Sequence, residues 1–406
     1  VSSMVQDSFG FLWIATEDGL NKFDGNKFTI YRHRQGDSTS ISNNYITNLF
    51  IDSRGILWMG TFSGDLNRFD AQSEIFKSYT PQYAQNNSHY NPSMSIIKED
   101  WEGNLVIVTS KVLNSFNYTN NTFTSFFHDA KDSTSLSNNS ITSILTDKSG
   151  TLWIGTESGL NKFSPGACEF TRYMNGRDTG TISNNYITDL MNDKDGNIWV
   201  ATEHGLNEFN KNTESFIRHM QSSENTGSIS SDTIYTVIDG GDKCIWIGTK
   251  NGINKFNLHS RKFTNYGSIN EVKTNGFNSF FSLYRDANNI IWGAVDGALI
   301  RFDPANKQIV YLQHHPNDPF SIGHSVIQTV FEDQEGNVWV GTQGGGLSRQ
   351  NRMAEHFFHY RHGKEGIQSI SNNSVWAILK DSNEDLWIGT EDGLNRISKK
   401  CQKKTV

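Results

Sequence analysis

The sequence predicts an all-β fold, a β-propeller of four-stranded antiparallel blades with nine blade repeats, the last one incomplete. Three observations carry this. Tryptophan recurs at Trp13, Trp58, Trp153, Trp199, Trp246, Trp292, Trp339 and Trp387, and a ninth copy centred on Val106 fills the double-length gap. Successive spacings of 45, 48, 47, 46, 47, 46, 47 and 48 residues make a period sustained over the whole chain, which is the signature of a repeat architecture. An Asp-x-x-Gly turn precedes most of these positions, at Asp7, Asp52, Asp100, Asp147, Asp193 and Asp333. Finally, 35 glycines against only 6 prolines, with 12% aromatic residues, suit many short strands joined by tight turns.

Within each copy the elements follow one order, clearest in the fourth. An apolar run, Ile141 to Leu145, reads as the first strand. Asp147 to Gly150 reads as a hairpin, since Asp can hydrogen-bond backbone two residues on and Gly tolerates positive φ. Leu152 to Thr156, Gly159 to Phe163 and Phe170 to Tyr173 supply the second, third and fourth strands. A four-stranded unit with a large aromatic on its second strand cannot bury both faces alone, so neighbouring units must stack. The tryptophans are therefore expected in the core between blades, not on an exposed sugar platform.

The copies vary in informative ways. Val106 stands for Trp and Val112 for the Gly of Gly-Leu-Asn, so that blade is expected to pack less regularly. Extra residues near Gly64 to Leu66 and Gly344 to Leu347 fall between the second and third strands, where loops absorb variation. The repeat units run approximately 1–36, 37–85, 86–131, 132–177, 178–223, 224–270, 271–317, 318–363 and 364–406, taken as one propeller domain. A single ring is favoured over seven blades plus two, because two orphan blades would expose large apolar faces.

Composition removes several function classes. A net charge of −7 without a basic block argues against nucleic acid, and Lys399, Lys400, Lys403 and Lys404 read as a solvated tail. Cys168, Cys244 and Cys401 are far apart and odd in number, so they outline neither a disulfide framework nor a zinc site. No apolar stretch approaches the roughly 20 residues that span a bilayer. The chain begins at Val1 without a signal-peptide pattern, as an excised or mature soluble segment would.

Leu152-Trp-Ile-Gly-Thr-Glu-Ser-Gly-Leu-Asn-Lys-Phe163 and Leu386-Trp-Ile-Gly-Thr-Glu-Asp-Gly-Leu-Asn-Arg-Ile397, with the linkers Asp37 to Asn44 and Asp132 to Asn139, resemble the two-component regulator propeller repeat. That repeat is found in extracytoplasmic sensor regions of bacterial hybrid two-component systems and related sensor proteins. The resemblance implies a periplasmic sensing role, and a ligand that in the best-understood members is an oligosaccharide. Family members often carry two seven-bladed rings followed by an immunoglobulin-like domain, a membrane helix and an output domain, none of which this chain contains.

The search for chemistry yields no catalytic residue. There is no G-x-S-x-G elbow, H-E-x-x-H, P-loop or dinucleotide fingerprint. Asp193-Lys-Asp-Gly-Asn197 hints at a calcium loop but coincides with a repeat hairpin, and the His314-His315 pair lacks further ligands. No metal and no cofactor are expected. In an up-and-down blade, the entry loop and the second-to-third turn share one face. Paired asparagines such as Asn43-Asn44 and Asn138-Asn139 recur there and read as turn formers. A ligand site should sit where copies differ, which selects His204, Lys250, His324 and Trp376, with Tyr45, Tyr186 and Tyr235 as stacking partners. The expected function is non-catalytic sensing of a carbohydrate or other small polar ligand. The alternatives are a protein-interaction scaffold, with homodimerisation as one form, and a propeller lyase or hydrolase.

Overall fold

The computed structural model describes residues 2–24, 27–81, 93–100, 102–109, 112–164, 169–241, 243–266, 280–286, 288–295, 298–332, 338–350, 357–362 and 369–399. Cys168, Cys401, Asp333 and the lysines beyond Lys399 lie outside the described residues. The described residues form 35 strands and nine antiparallel sheets, eight of four strands and a last one of three. Within each sheet the strands are ordered as they occur in sequence. This is a β-propeller of nine blades, as the period predicts.

The chain forms two compact units. One comprises residues 1–125 and 314–406, and in it the last blade seats on the first: Trp387 meets Phe23 at 4.8 Å, and Gln6 Nε2 donates to Ser382 Oγ at 3.1 Å. The other, residues 126–313, stacks its blades in chain order, Trp153 on Phe209 and Trp199 on Phe256. All eight repeat tryptophans are buried. Each contact joins one blade's second strand to the next blade's third strand, with T-shaped geometry that aromatic quadrupoles favour. Val106 is equally buried and its blade forms four strands like the others, so replacing the tryptophan leaves the sheet intact.

The Asp of each Asp-x-x-Gly turn holds more than the turn. In blade 5, Asp193 Oδ1 accepts the amides of Asp195 and Asn197 at 3.0 and 2.8 Å, closing the hairpin. Its Oδ2 accepts the Trp199 indole N–H at 3.0 Å. The same indole bond recurs from Trp13, Trp58, Trp153, Trp292 and Trp387. One side chain thus fixes the hairpin and satisfies the polar atom of the buried aromatic, which would otherwise cost a full desolvation penalty.

First strands carry a β-bulge at one conserved register, where the pairing skips a residue between Ile46 and Asn48, Ile187 and Asp189, Ile234 and Thr236, and Val375 and Ala377. In blade 5 the residue after the bulge is Asp189, whose Oδ2 accepts Thr236 Oγ1 and the Val237 amide of the next blade, both at 3.0 Å. Burial nonetheless dominates and raises its pKa above the ordinary 3.8. Because the folded value exceeds the unfolded one, the stability Asp189 contributes is complete below about pH 4 and is lost as pH rises through the folded value. Asp189→Asn is therefore expected to gain on the natural chain as pH rises from about 4. Urea midpoints of both proteins across that range measure it. A constant difference at every pH would show that Asp189 ionises in the fold as it does in the unfolded chain.

Candidate binding face

The face shared by entry loops and second-to-third turns is built on the Asn of the Gly-Leu-Asn motif. Asn161, Asn207 and Asn254 are fully buried on third strands. Their Oδ1 atoms accept the amides of Ser137, Ser183 and Ser230, and their Nδ2 atoms donate to the same serines' hydroxyls. Each entry loop is thereby pinned to its own blade.

The recurring asparagine pairs are spent locally. Asn43, Asn138, Asn184 and Asn372 each accept the amide two residues on, an Asx turn. Asn44, Asn139, Asn185 and Asn373 accept the amides of His33, His128, Asn175 and His362, which tie the loop to the chain leaving the fourth strand. These groups hold loops and offer little to a ligand.

The departures from the repeat behave differently. In the unit containing both termini, the Tyr45 ring stacks on Phe62 at 5.0 Å with 4° between planes, and Phe62 is 44% exposed. Burial first, then the neighbouring Glu17 carboxylate, push the Tyr45 phenol above its ordinary pKa. Asp18 pairs with Arg32 through two hydrogen bonds, at 3.2 and 2.7 Å. Trp376, also 44% exposed, occupies the bulge of its first strand. His324 spends Nδ1 on the Val326 amide at 3.1 Å and lies 6.2 Å from the His314 ring.

In the second unit, His204 stands on the second-to-third turn of blade 5, its Nδ1 3.9 Å from Asp232 Oδ2 on the next entry loop. Lys250 occupies the corresponding turn of blade 6, its amide donating to Thr233, the residue after Asp232. Tyr186 lies beside the His204 turn, its carbonyl accepting the Glu203 amide at 3.1 Å. Tyr235 is the bulge residue of blade 6. His204, Lys250, Tyr186 and Tyr235 thus lie on adjoining loops of blades 5 and 6. The other three residues read from the sequence, Tyr45, His324 and Trp376, stand on three separate blades of the first unit.

The sequence reading missed Phe62 and Asp232. Phe62 sits in a turn carrying an extra residue, a signal that could have found it, whereas Asp232 takes the second position of an asparagine pair and looks like turn chemistry. The bulge itself was not read: it holds threonine at Thr47, Thr142 and Thr188 but an aromatic at Tyr235 and Trp376. Bulges re-aim side chains and are over-represented next to active sites. The hinted calcium loop at Asp193 is a hairpin whose carboxylate is consumed by protein donors. Among the described residues no group of three or more metal-ligating side chains converges, and no helix is long and apolar enough to cross a membrane.

Comparison with known proteins bears on the repeat. The family model described as "Two component regulator propeller" matches residues 40–63, 135–158, 181–204, 321–344 and 369–392. A segment of 42 residues is 60% identical to Histidine kinase P4 of Formosa agariphila, covering 10% of this chain and 3% of that protein. Among solved structures, the chain is similar to the extracellular domain of BT4673 from B. thetaiotaomicron, described as a hybrid two component system. The identity is 23% and the TM-score 0.35, over 100% of this chain and 58% of that one. It is also similar to the extracellular domain of BT3049 from the same organism, with 20% identity and a TM-score of 0.31, over 99% and 64%. The chain spans less than two thirds of the length of each of these relatives. Matched at five places by one family model and built throughout on the period those places share, the chain belongs to the two-component regulator propeller repeat family.

Proposed function

We propose that this propeller is the extracytoplasmic, periplasmic sensor part of a bacterial signalling protein, that it binds a carbohydrate or another small polar ligand, and that it performs no chemistry on it. The observation that carries this reading is the exchange of threonine for aromatic side chains at the bulges of Tyr235 and Trp376, on a face whose repeated polar groups are consumed by loops. An exposed indole offers a flat apolar surface to a sugar ring. His204, Asp232 and Lys250 add donors and acceptors of the kind that fix a hydroxylated ligand's orientation. The names of the similar proteins support the signalling context.

The test is thermal shift and calorimetry of the full chain across an oligosaccharide panel, with product release assayed in parallel. At least one member is expected to raise the melting temperature without being consumed. Trp376→Ala or His204→Ala is expected to weaken that member about tenfold or more, the range in which a lost stacking or charged contact falls. No response across the panel would defeat the carbohydrate reading, and turnover would defeat the non-catalytic one.

A further inference from the structure

On the opposite face, where hairpins join first to second strands, a cavity of about 630 Å³ opens between blades 1 and 2. Its walls include Phe11, Trp13, Phe69 and Ala71, and Phe9 stands at its rim, 80% exposed. The cation of this largely aromatic space is Lys22. Its Nζ lies 4.2 Å from the Phe11 ring centroid and 5.3 Å from that of Trp13, and its side chain is only 17% exposed.

An ammonium carries three donors and no acceptor. Among the described residues Lys22 reaches a single carboxylate oxygen within 4 Å, Glu74 Oε1 at 3.8 Å, which is too long for a hydrogen bond. The nearby Asp7 is spent, its oxygens accepting the Phe9 and Phe11 amides and the Trp13 indole. Asp70 holds the amides of Gln72 and Ser73. The cation is thus partly desolvated by aromatic rings and short of acceptors, which favours an anion beside it.

The next gap shows what this space holds when the chain fills it. Between blades 2 and 3 the Arg54 guanidinium lies 3.8 Å from the Tyr118 ring centroid, bonds Asp52 and Gly103, and stands 3.7 Å from Glu99. Arg54, Tyr118 and Glu99 occupy the repeat positions of Phe9, Ala71 and Ile51. One gap is filled by a planar cation between acids. The other lacks the acid and the filling ring, and gains aromatic walls around a cation, so its electrostatic preference is reversed.

We infer that the cavity between blades 1 and 2 binds a small organic anion with a flat aromatic body, its carboxylate on Lys22 and its ring against Phe9 and Phe11. The site is separate from the face assigned to sensing. Naphthalene-2-carboxylate, titrated into the full chain by calorimetry and tryptophan fluorescence, is expected to bind saturably. Neutral 2-naphthamide should bind about tenfold more weakly, and D-glucuronate, an anion without an aromatic ring, not at all. Lys22→Met should remove the preference for acid over amide. Ala71→Tyr, which places here the side chain of the neighbouring gap, should abolish binding. Phe9→Ser, at an exposed position where folding is not at stake, should weaken it several-fold. Trp376→Ala should leave it unchanged, so failure here and failure of the sensing face are read separately. Absence of binding, equal affinity for acid and amide, binding of glucuronate, or binding unaffected by Ala71→Tyr and Phe9→Ser would each overturn the inference.

Discussion

Trp199→Ala is expected to destabilise the protein by about 3–5 kcal/mol, the range for truncating a fully buried large aromatic. Trp199 has no exposed surface, meets Phe256 of the next blade at 5.3 Å, and stacks on His219 of its own blade at 5.6 Å. Truncation opens a void between two twisted sheets whose backbones are fixed by their own ladders, so the site cannot collapse to recover the lost contacts. It also takes the indole donor from Asp193 Oδ2, leaving Asn197 Nδ2 at 2.9 Å as its remaining side-chain partner. The natural counterpart is blade 3, where Val106 replaces the tryptophan and Asn104 Nδ2 donates to Asp100 Oδ2 at 3.3 Å. That blade is adapted to the smaller residue, so Val106→Ala is expected to cost clearly less. Urea unfolding of the two variants at neutral pH gives the comparison. A loss under about 1 kcal/mol for Trp199→Ala would contradict its place in the inter-blade core.

The fold was legible because its cause is periodic. A tryptophan every 45 to 48 residues reports a structural unit, and the alternation around Trp153 reports a strand, before any contact is known. The asparagine pairs were legible as turns for the same local reason, since an Asx turn is made within three residues. Less visible were features that join distant residues. The second carboxylate oxygen of Asp147 reaches Trp153 at 3.1 Å, and nothing in the Asp-x-x-Gly pattern announces an indole partner. The bulge at Trp376 depends on how its strand pairs with Leu386 to Thr390, and a sequence shows residues without their register. The cavity at Lys22 arises from the absence of bulk at Ala71, in a different blade, which becomes meaningful only once two blades face each other.

Asn207→Ala is expected to cost about 3 kcal/mol or more, although it deletes only a short polar side chain. Asn207 is fully buried; its Oδ1 accepts the Ser183 amide at 2.8 Å, and its Nδ2 donates to Ser183 Oγ at 3.0 Å and the Val200 carbonyl at 3.2 Å. Alanine leaves the Ser183 amide without that acceptor in a buried setting, and each such orphaned group costs about 1–3 kcal/mol. Blade 8 shows what a tolerated exchange requires: Ser348 replaces the asparagine, and its hydroxyl still accepts the Gly323 amide at 3.1 Å. The consequence reaches the proposed sensing face. Ser183 anchors the loop that carries Asn184 and Tyr186, beside the turn bearing His204. Hydrogen exchange in Asn207→Ala should therefore accelerate at residues 183–186 by more than the global loss of stability explains. Asn207→Ser, which retains an acceptor, should recover part of that protection. If exchange there rises only in step with the rest of the blade, the buried asparagine stabilises the sheet without governing the loop, and the pinning of the face must lie elsewhere.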